Sequence, residues 1–183
     1  MSDLIFATSG GTIVRPARVL CDRLDGGHLI VNPCRAVWER SALTTGELIA
    51  WSILVAATGA AMLEVLPVLD GGCLNYWEAG NWALNDRAEP PGPKSVRAHR
   101  RVHLHVFGRS RHARHADWQW GESPRFPSFA DIERWSASFA ALTDEECELV
   151  AARTAALLAT RYRLPGSGQI SCGACRNNAT SAA

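Results

Sequence analysis

The stretch Arg101-Val102-His103-Leu104-His105-Val106-Phe107-Gly108-Arg109 decides how this chain is read. It alternates strictly, and an extended strand sends successive side chains to opposite faces. Val102, Leu104 and Val106 then share one face and belong in a core. Arg101, His103 and His105 share the other, with about 7 Å between next-but-one neighbours from the strand rise. A guanidinium and two imidazoles in file make a poor solvent face and a good phosphate-handling face. The pattern predicts a strand over 101–107 with one structural and one functional side.

The flanks of that stretch sharpen the charge reading. Lys94, Arg97, Arg100, Arg101, Arg109, Arg111 and Arg114 place seven cationic side chains between positions 94 and 114, although the whole chain carries only +1. So local an excess favours an anionic ligand: a nucleotide, a sugar phosphate or a nucleic acid. Nucleic acid is the least expected of these, because Phe107 and Trp118 do not interleave regularly with the basic residues. Five of the six histidines (99, 103, 105, 112 and 115) fall within 17 residues. No Asp, Glu or Cys stands at convincing ligand spacing beside them, so no metal is expected. Cys172-Gly173-Ala174-Cys175 is a single CxxC without a second ligand pair, and reads as incidental cysteines.

Further out, the chain alternates short apolar runs with turn signals. Residues 4–20, broken by Gly10-Gly11 and Pro16, suggest two strands. Asp25-Gly26-Gly27 is a turn, followed by the apolar strand His28-Leu29-Ile30-Val31, which stops at Asn32-Pro33. Thr44 or Thr45 can cap a helix that has Glu47 in its first turn and runs to Leu66 before Pro67. That helix is apolar nearly all round, which predicts cover on its sides. Cys73–Trp77 reads as a strand, 85–95 as an irregular connection, and Ser128 to Trp135 as a short helix. Thr143-Asp144-Glu145-Glu146 opens a final helix to about Tyr162, with acidic residues suited to its N-terminus.

The composition, 47% hydrophobic and 20% charged over 183 residues, is that of a soluble globular protein with room for one sizeable core. The expected organisation is a domain over 1–127, a helical extension over 128–164 and a disordered tail over 165–183. The start, Met-Ser-Asp-Leu, lacks the basic and apolar regions of a signal peptide. The longest uncharged stretch, Leu48 to Leu63, is short for a bilayer, so no membrane is expected. Six scattered cysteines point to a reducing cytoplasm.

Two segments resemble the histidine triad (HIT) superfamily of nucleotide hydrolases and transferases. Arg23-Leu24-Asp25-Gly26-Gly27-His28-Leu29-Ile30-Val31-Asn32-Pro33 is similar to the family's glycine-histidine strand ending at proline, and the Leu-Thr-x-x-Glu helix start follows in Leu43–Glu47. The 101–109 stretch resembles the signature His-φ-His-φ-His-φ-φ with a small residue and Arg after it. Asn75 and Asn81 fall where the family places asparagines ahead of that strand. The likeness spans roughly residues 20 to 110. Val106-Phe107-Gly108-Arg109 sets the register: His105 takes the third triad position, His103 the second, and Arg101 the first, where the family has a histidine. Arg97 stands where commoner branches have glutamine, and Ala36 where many members have a histidine after the proline.

The resemblance implies an α+β fold: a HIT-like antiparallel sheet with a packed central helix, here with a C-terminal helical extension. It implies attack at the α-phosphate of a nucleotide conjugate, a dinucleoside polyphosphate or phosphoramidate, by His103 through a phosphohistidine intermediate. His105 would donate to the bridging or a non-bridging oxygen, and Arg101 would hold phosphate charge without being able to donate a proton. Asn75, Asn81, Arg97, Arg109 and His28 are the candidate substrate-binding residues. A homodimer without cofactor or metal is implied. The alternative is a HIT-fold protein that binds a nucleotide or phosphorylated ligand without turnover, Arg101 marking lost catalysis.

Overall fold

Alternating apolar stretches pair into one five-stranded antiparallel sheet in the computed structural model, which describes residues 2–163. The strands are β1 (Asp3–Thr8), β2 (Gly11–Arg15), β3 (His28–Pro33), β4 (Cys73–Ala79) and β5 (His103–Arg109), in the order β1-β2-β3-β5-β4. The helices are α1 (Thr45–Val65), α2 (Val96–His99), α3 (Ile132–Ser136) and α4 (Asp144–Ala159). The chain thus has the expected α+β class and antiparallel sheet, with the histidine strand β5 held between β3 and β4. The tail from 165 onward, with Cys172 and Cys175, lies outside the described residues.

Both long helices begin where their sequences say they should. The Thr44 hydroxyl accepts the Glu47 amide while the Glu47 carboxylate accepts the Thr44 amide, and Thr143 and Glu146 repeat this reciprocal box on α4. Each box satisfies two donors that a helix start leaves open, a contribution of about 1 kcal/mol for the cap residue. One side of α1 buries Trp51, Leu54, Ala57, Ala61 and Met62 against Ile13, Leu29, Val31, Leu104 and Val106 of the sheet. Leu142, Cys147, Val150 and Leu157, on and before α4, join the same core. Cover is not complete: Ile49 and Leu63 stay about 40% exposed, so the apolar circumference of α1 is buried on part of its surface only. At 21 residues α1 is also long and apolar enough to cross a membrane, although here it lies along the sheet.

The other sheet face carries a second cluster of different composition. Phe107 packs with Leu20, Cys21, Trp118 and Ile132, and Trp77, Trp82, Phe126 and Trp135 gather around them. The polar, aromatic segment after β5 supplies this cover. Asp25 ties it down, its carboxylate accepting the amides of Arg114 and His115. The turn at Gly26, with φ +135°, presses so close to β5 that a Cβ on Gly108 would lie 2.0 Å from the Gly26 carbonyl oxygen. Glycine at both positions lets β3 start beside β5, and so sets His28 against Phe107 in the register.

Several boundaries differ from the sequence reading, α4 ending at Ala159 and β4 running on to Ala79 among them, and one bears on the site. The histidine strand begins at His103, not Arg101, because its partner β4 ends at Ala79, opposite His103. Gly80, at φ +137°, turns the chain away into the 3₁₀ turn Asn81–Leu84, so Arg101 and Val102 have no partner there. The Val102 amide bonds the Val37 carbonyl instead (2.8 Å), and its side chain still reaches the core.

Candidate functional site

Strand parity assembles the site. On β5, His103, His105, Phe107 and Arg109 project from one face, and the β4 register sets Ala79, Trp77, Asn75 and Cys73 opposite them in turn. His28, the first residue of β3, stacks on Phe107 (ring centres 4.4 Å apart) and on His105 (5.0 Å). Trp77 lies 5.5 Å from His105 and stacks on Phe126 at 4.3 Å. The imidazoles are therefore walled by aromatic rings on one side and by the sheet on the other.

Three rings form a continuous hydrogen-bonded file. The Leu20 amide donates to His28 Nδ1 (3.2 Å), His28 Nε2 meets His105 Nδ1 (2.8 Å), His105 Nε2 meets His103 Nε2 (3.0 Å), and His103 Nδ1 meets the Arg101 carbonyl (2.9 Å). One end of the file is an N–H that can only donate, and the other is a C=O that can only accept. With neutral rings these ends assign every tautomer: His28 and His105 carry hydrogen on Nε2, and His103 carries it on Nδ1. Each ring then donates once and accepts once.

Burial favours the same neutral state. His28 is 1% exposed and His105 7% exposed. Desolvation, reinforced by the neighbouring imidazoles, holds His28 well below the usual histidine range. Desolvation first, and His103 second, bring His105 down to about 3. His103 is lowered too, chiefly by desolvation, and its bond to the Arg101 carbonyl opposes that in part. A neutral His103 with hydrogen fixed on Nδ1 has its Nε2 lone pair directed at the His105 N–H. A ligand that takes over that N–H would free the lone pair.

The file opens at His103 into a cavity of about 460 Å³, lined by Trp77 to Ala83, His99, Arg101, His103 and His105. That volume suits a small molecule of nucleotide size. Arg101 lines it although it precedes the strand. Its Nη1 donates to the carbonyls of Arg97 (3.1 Å) and Arg100 (2.7 Å), and no carboxylate pairs with it among the described residues. Its charge is thus available to an anion. Glu78, the one carboxylate in the lining, is bound by Arg40 and Arg100.

Of the sequence candidates, the structure brings His103, His105, Arg101 and Asn81 to the cavity. His28 lies behind His105 and reaches the cavity through it alone. Arg97 stacks over Trp38 at 5.1 Å, outside the lining. Arg109 and Asn75 stand further along the face and bond each other (2.9 Å). Arg109 also donates to the Gln119 and Glu122 carbonyls (2.6 and 2.9 Å) and lies over the Trp118 ring at 5.5 Å. It holds the covering segment to the sheet. His99, Trp77 and Trp82 line the cavity without having been singled out as site residues. The signal for Trp77 was its parity with His105, which needed the β4–β5 register to be usable. The file directs its nitrogens at one another rather than at a common point, and among the described residues no group of three or more His, Cys, Asp or Glu converges to hold a metal ion. In comparisons with known proteins, the chain matches no protein-family model and no curated protein.

Proposed function

We propose that the protein hydrolyses or transfers at the α-phosphate of a nucleotide conjugate through His103, as a divergent HIT-like domain. The observation that carries this reading is the neutral, tautomer-assigned file His28–His105–His103, ending in a nucleotide-sized cavity beside an unpaired arginine. On substrate binding the His105 Nε2–H turns from His103 to a non-bridging phosphate oxygen, exchanging a neutral hydrogen bond for a charge-assisted one. The freed His103 Nε2 attacks phosphorus, the bond to the leaving group breaks, and a phosphohistidine remains for water or another acceptor. Its Nδ1–H, bonded to the Arg101 carbonyl, stabilises the positive charge that the ring gains. Arg101 supplies a fixed positive charge to the equatorial oxygens. Trp77 and Trp82 offer aromatic walls for a base or ribose.

We further propose a homodimer in a reducing compartment. The exposed Ile49, Leu63 and Tyr76 on α1 and the edge strand β4 support the former. Cys21, Cys73 and Cys147, which form no disulfide among the described residues, support the latter.

Incubation with a fluorogenic adenosine 5′-phosphoramidate and with a dinucleoside triphosphate tests the reading. AMP release that His103→Ala abolishes is the expected result. Thermal stabilisation by AMP with no product from either compound would replace it with a binding function for the same cavity.

A further inference from the structure

The cavity contains one imidazole that the His28–His105–His103 file does not use. We propose that His99 is the general acid that protonates the departing group, an inference that rests on the α-phosphate chemistry proposed above. His99 ends the short helix α2, is half-buried, and lines the same cavity as Arg101, His103 and His105. Its Nδ1 lies 3.0 Å from the Ser95 carbonyl, an acceptor, so Nδ1 carries hydrogen. Nε2 has no hydrogen-bond partner among the described residues and is the nitrogen left to exchange a proton with a ligand.

The other lining groups are each committed elsewhere. Arg101 stays protonated as a guanidinium and cannot act as an acid. His105 carries its one hydrogen on Nε2, which serves first His103 and then the non-bridging oxygen. Its other nitrogen accepts from His28, whose far nitrogen ends on the Leu20 backbone amide, so the file has no further proton to deliver. The Glu78 carboxylate is bound by two guanidiniums. An imidazole, by contrast, gives and takes a proton near neutrality. Arg101 also anchors His99: its Nη1 caps the Arg97 carbonyl of α2, fixing that helix to the entrance of β5.

The proton balance closes without another reagent. As His103 Nε2 bonds to phosphorus and the phosphorus–leaving-group bond breaks, protonated His99 gives its Nε2 proton to the leaving atom and becomes neutral. When water attacks the phosphohistidine, neutral His99 accepts the water's proton and His103 departs as the neutral ring. The cycle returns both histidines to their starting states.

The test is a leaving-group series on the full chain: adenosine 5′-phosphoryl esters of 4-nitrophenol, phenol and an alkyl alcohol, with wild type, His99→Gln and His99→Asn. Loss of a general acid should lower kcat/KM for the alkyl ester by about a hundredfold or more. The 4-nitrophenyl ester, whose leaving group needs no proton, should change by less than about threefold. Two variants of different reach guard against a local packing effect, and unchanged circular dichroism and Tm confirm folding. An equal loss across the series, or none, in a wild type whose turnover depends on His103 overturns the role of His99 and leaves the α-phosphate reading in place. A wild type that releases no AMP from any ester overturns both.

Discussion

The two faces of β5 are built from the same seven residues and do opposite work. Leu104 and Val106 enter a largely aliphatic core with α1 and α4, where packing against neighbours is their contribution. His103, His105 and Phe107 enter an aromatic and imidazole face, where each imidazole nitrogen of the file has a hydrogen-bond partner. The first face tolerates any arrangement that fills its volume; the second tolerates one hydrogen-bond pattern, set by a backbone amide at one end and a carbonyl at the other. A single strand can therefore separate stability from chemistry by parity alone.

Substitutions that strike one face and spare the other test that separation. The largest expected effect is on the imidazole face: His103→Ala should lower AMP release by about a thousandfold or more, with Tm nearly unchanged, because the ring sits at the cavity edge. Parallel loss of Tm and activity would make His103 structural. The converse comes from the aliphatic face. Leu54→Ala removes a fully buried side chain of α1 and should cost about 2–5 kcal/mol in urea denaturation. Activity per folded molecule should persist, and its disappearance would show that the faces are coupled. Between these lies Arg109, on the imidazole face but bonded to Asn75 and two loop carbonyls. Arg109→Ala should cost about 1–3 kcal/mol by loosening the segment over Trp118, with KM for a nucleotide substrate little altered. A large rise in KM at constant stability would return Arg109 to the substrate site.

Much of this division was legible before any coordinates. Strict alternation gave the two faces of β5, Thr44 or Thr45 and Thr143 gave the helix starts, and Asp25-Gly26-Gly27 marked the turn before β3. What the sequence hid depended on pairing partners distant along the chain. Arg101 fits the alternation as well as His103 does, and only the end of β4 at Ala79, before the Gly80 turn, excludes it from the strand. Arg109 carries the charge of a phosphate ligand, but its assignment turns on carbonyls in a segment without periodicity. His28 is a polar residue at a strand start by sequence; its burial follows from the turn that presses Gly26 against Gly108. Parity reads locally, whereas burial of a polar residue is decided by whatever covers it.

The pH dependence of stability is the most direct measure of how dry the imidazole face is. His28 and His105 are kept neutral in the fold by burial, His105 down to about pH 3. The unfolded chain protonates them near the ordinary value of about 6.5. Below that pH the unfolded state binds more protons than the folded one, so the unfolding free energy falls as acid is added. The slope approaches roughly 1.4 kcal/mol per pH unit for each such histidine, and the His105 part levels off only near pH 3. Urea titrations at pH 7 and pH 5 should show this loss in the wild type. In His28→Gln the slope should shrink by about one proton, since glutamine can donate to His105 and accept from Leu20 without titrating. Equal slopes in the two proteins would mean that His28 protonates as readily folded as unfolded. The file would then be solvated, its tautomers would not be fixed by its ends, and the contrast between the two faces of β5 would reduce to one of size and shape.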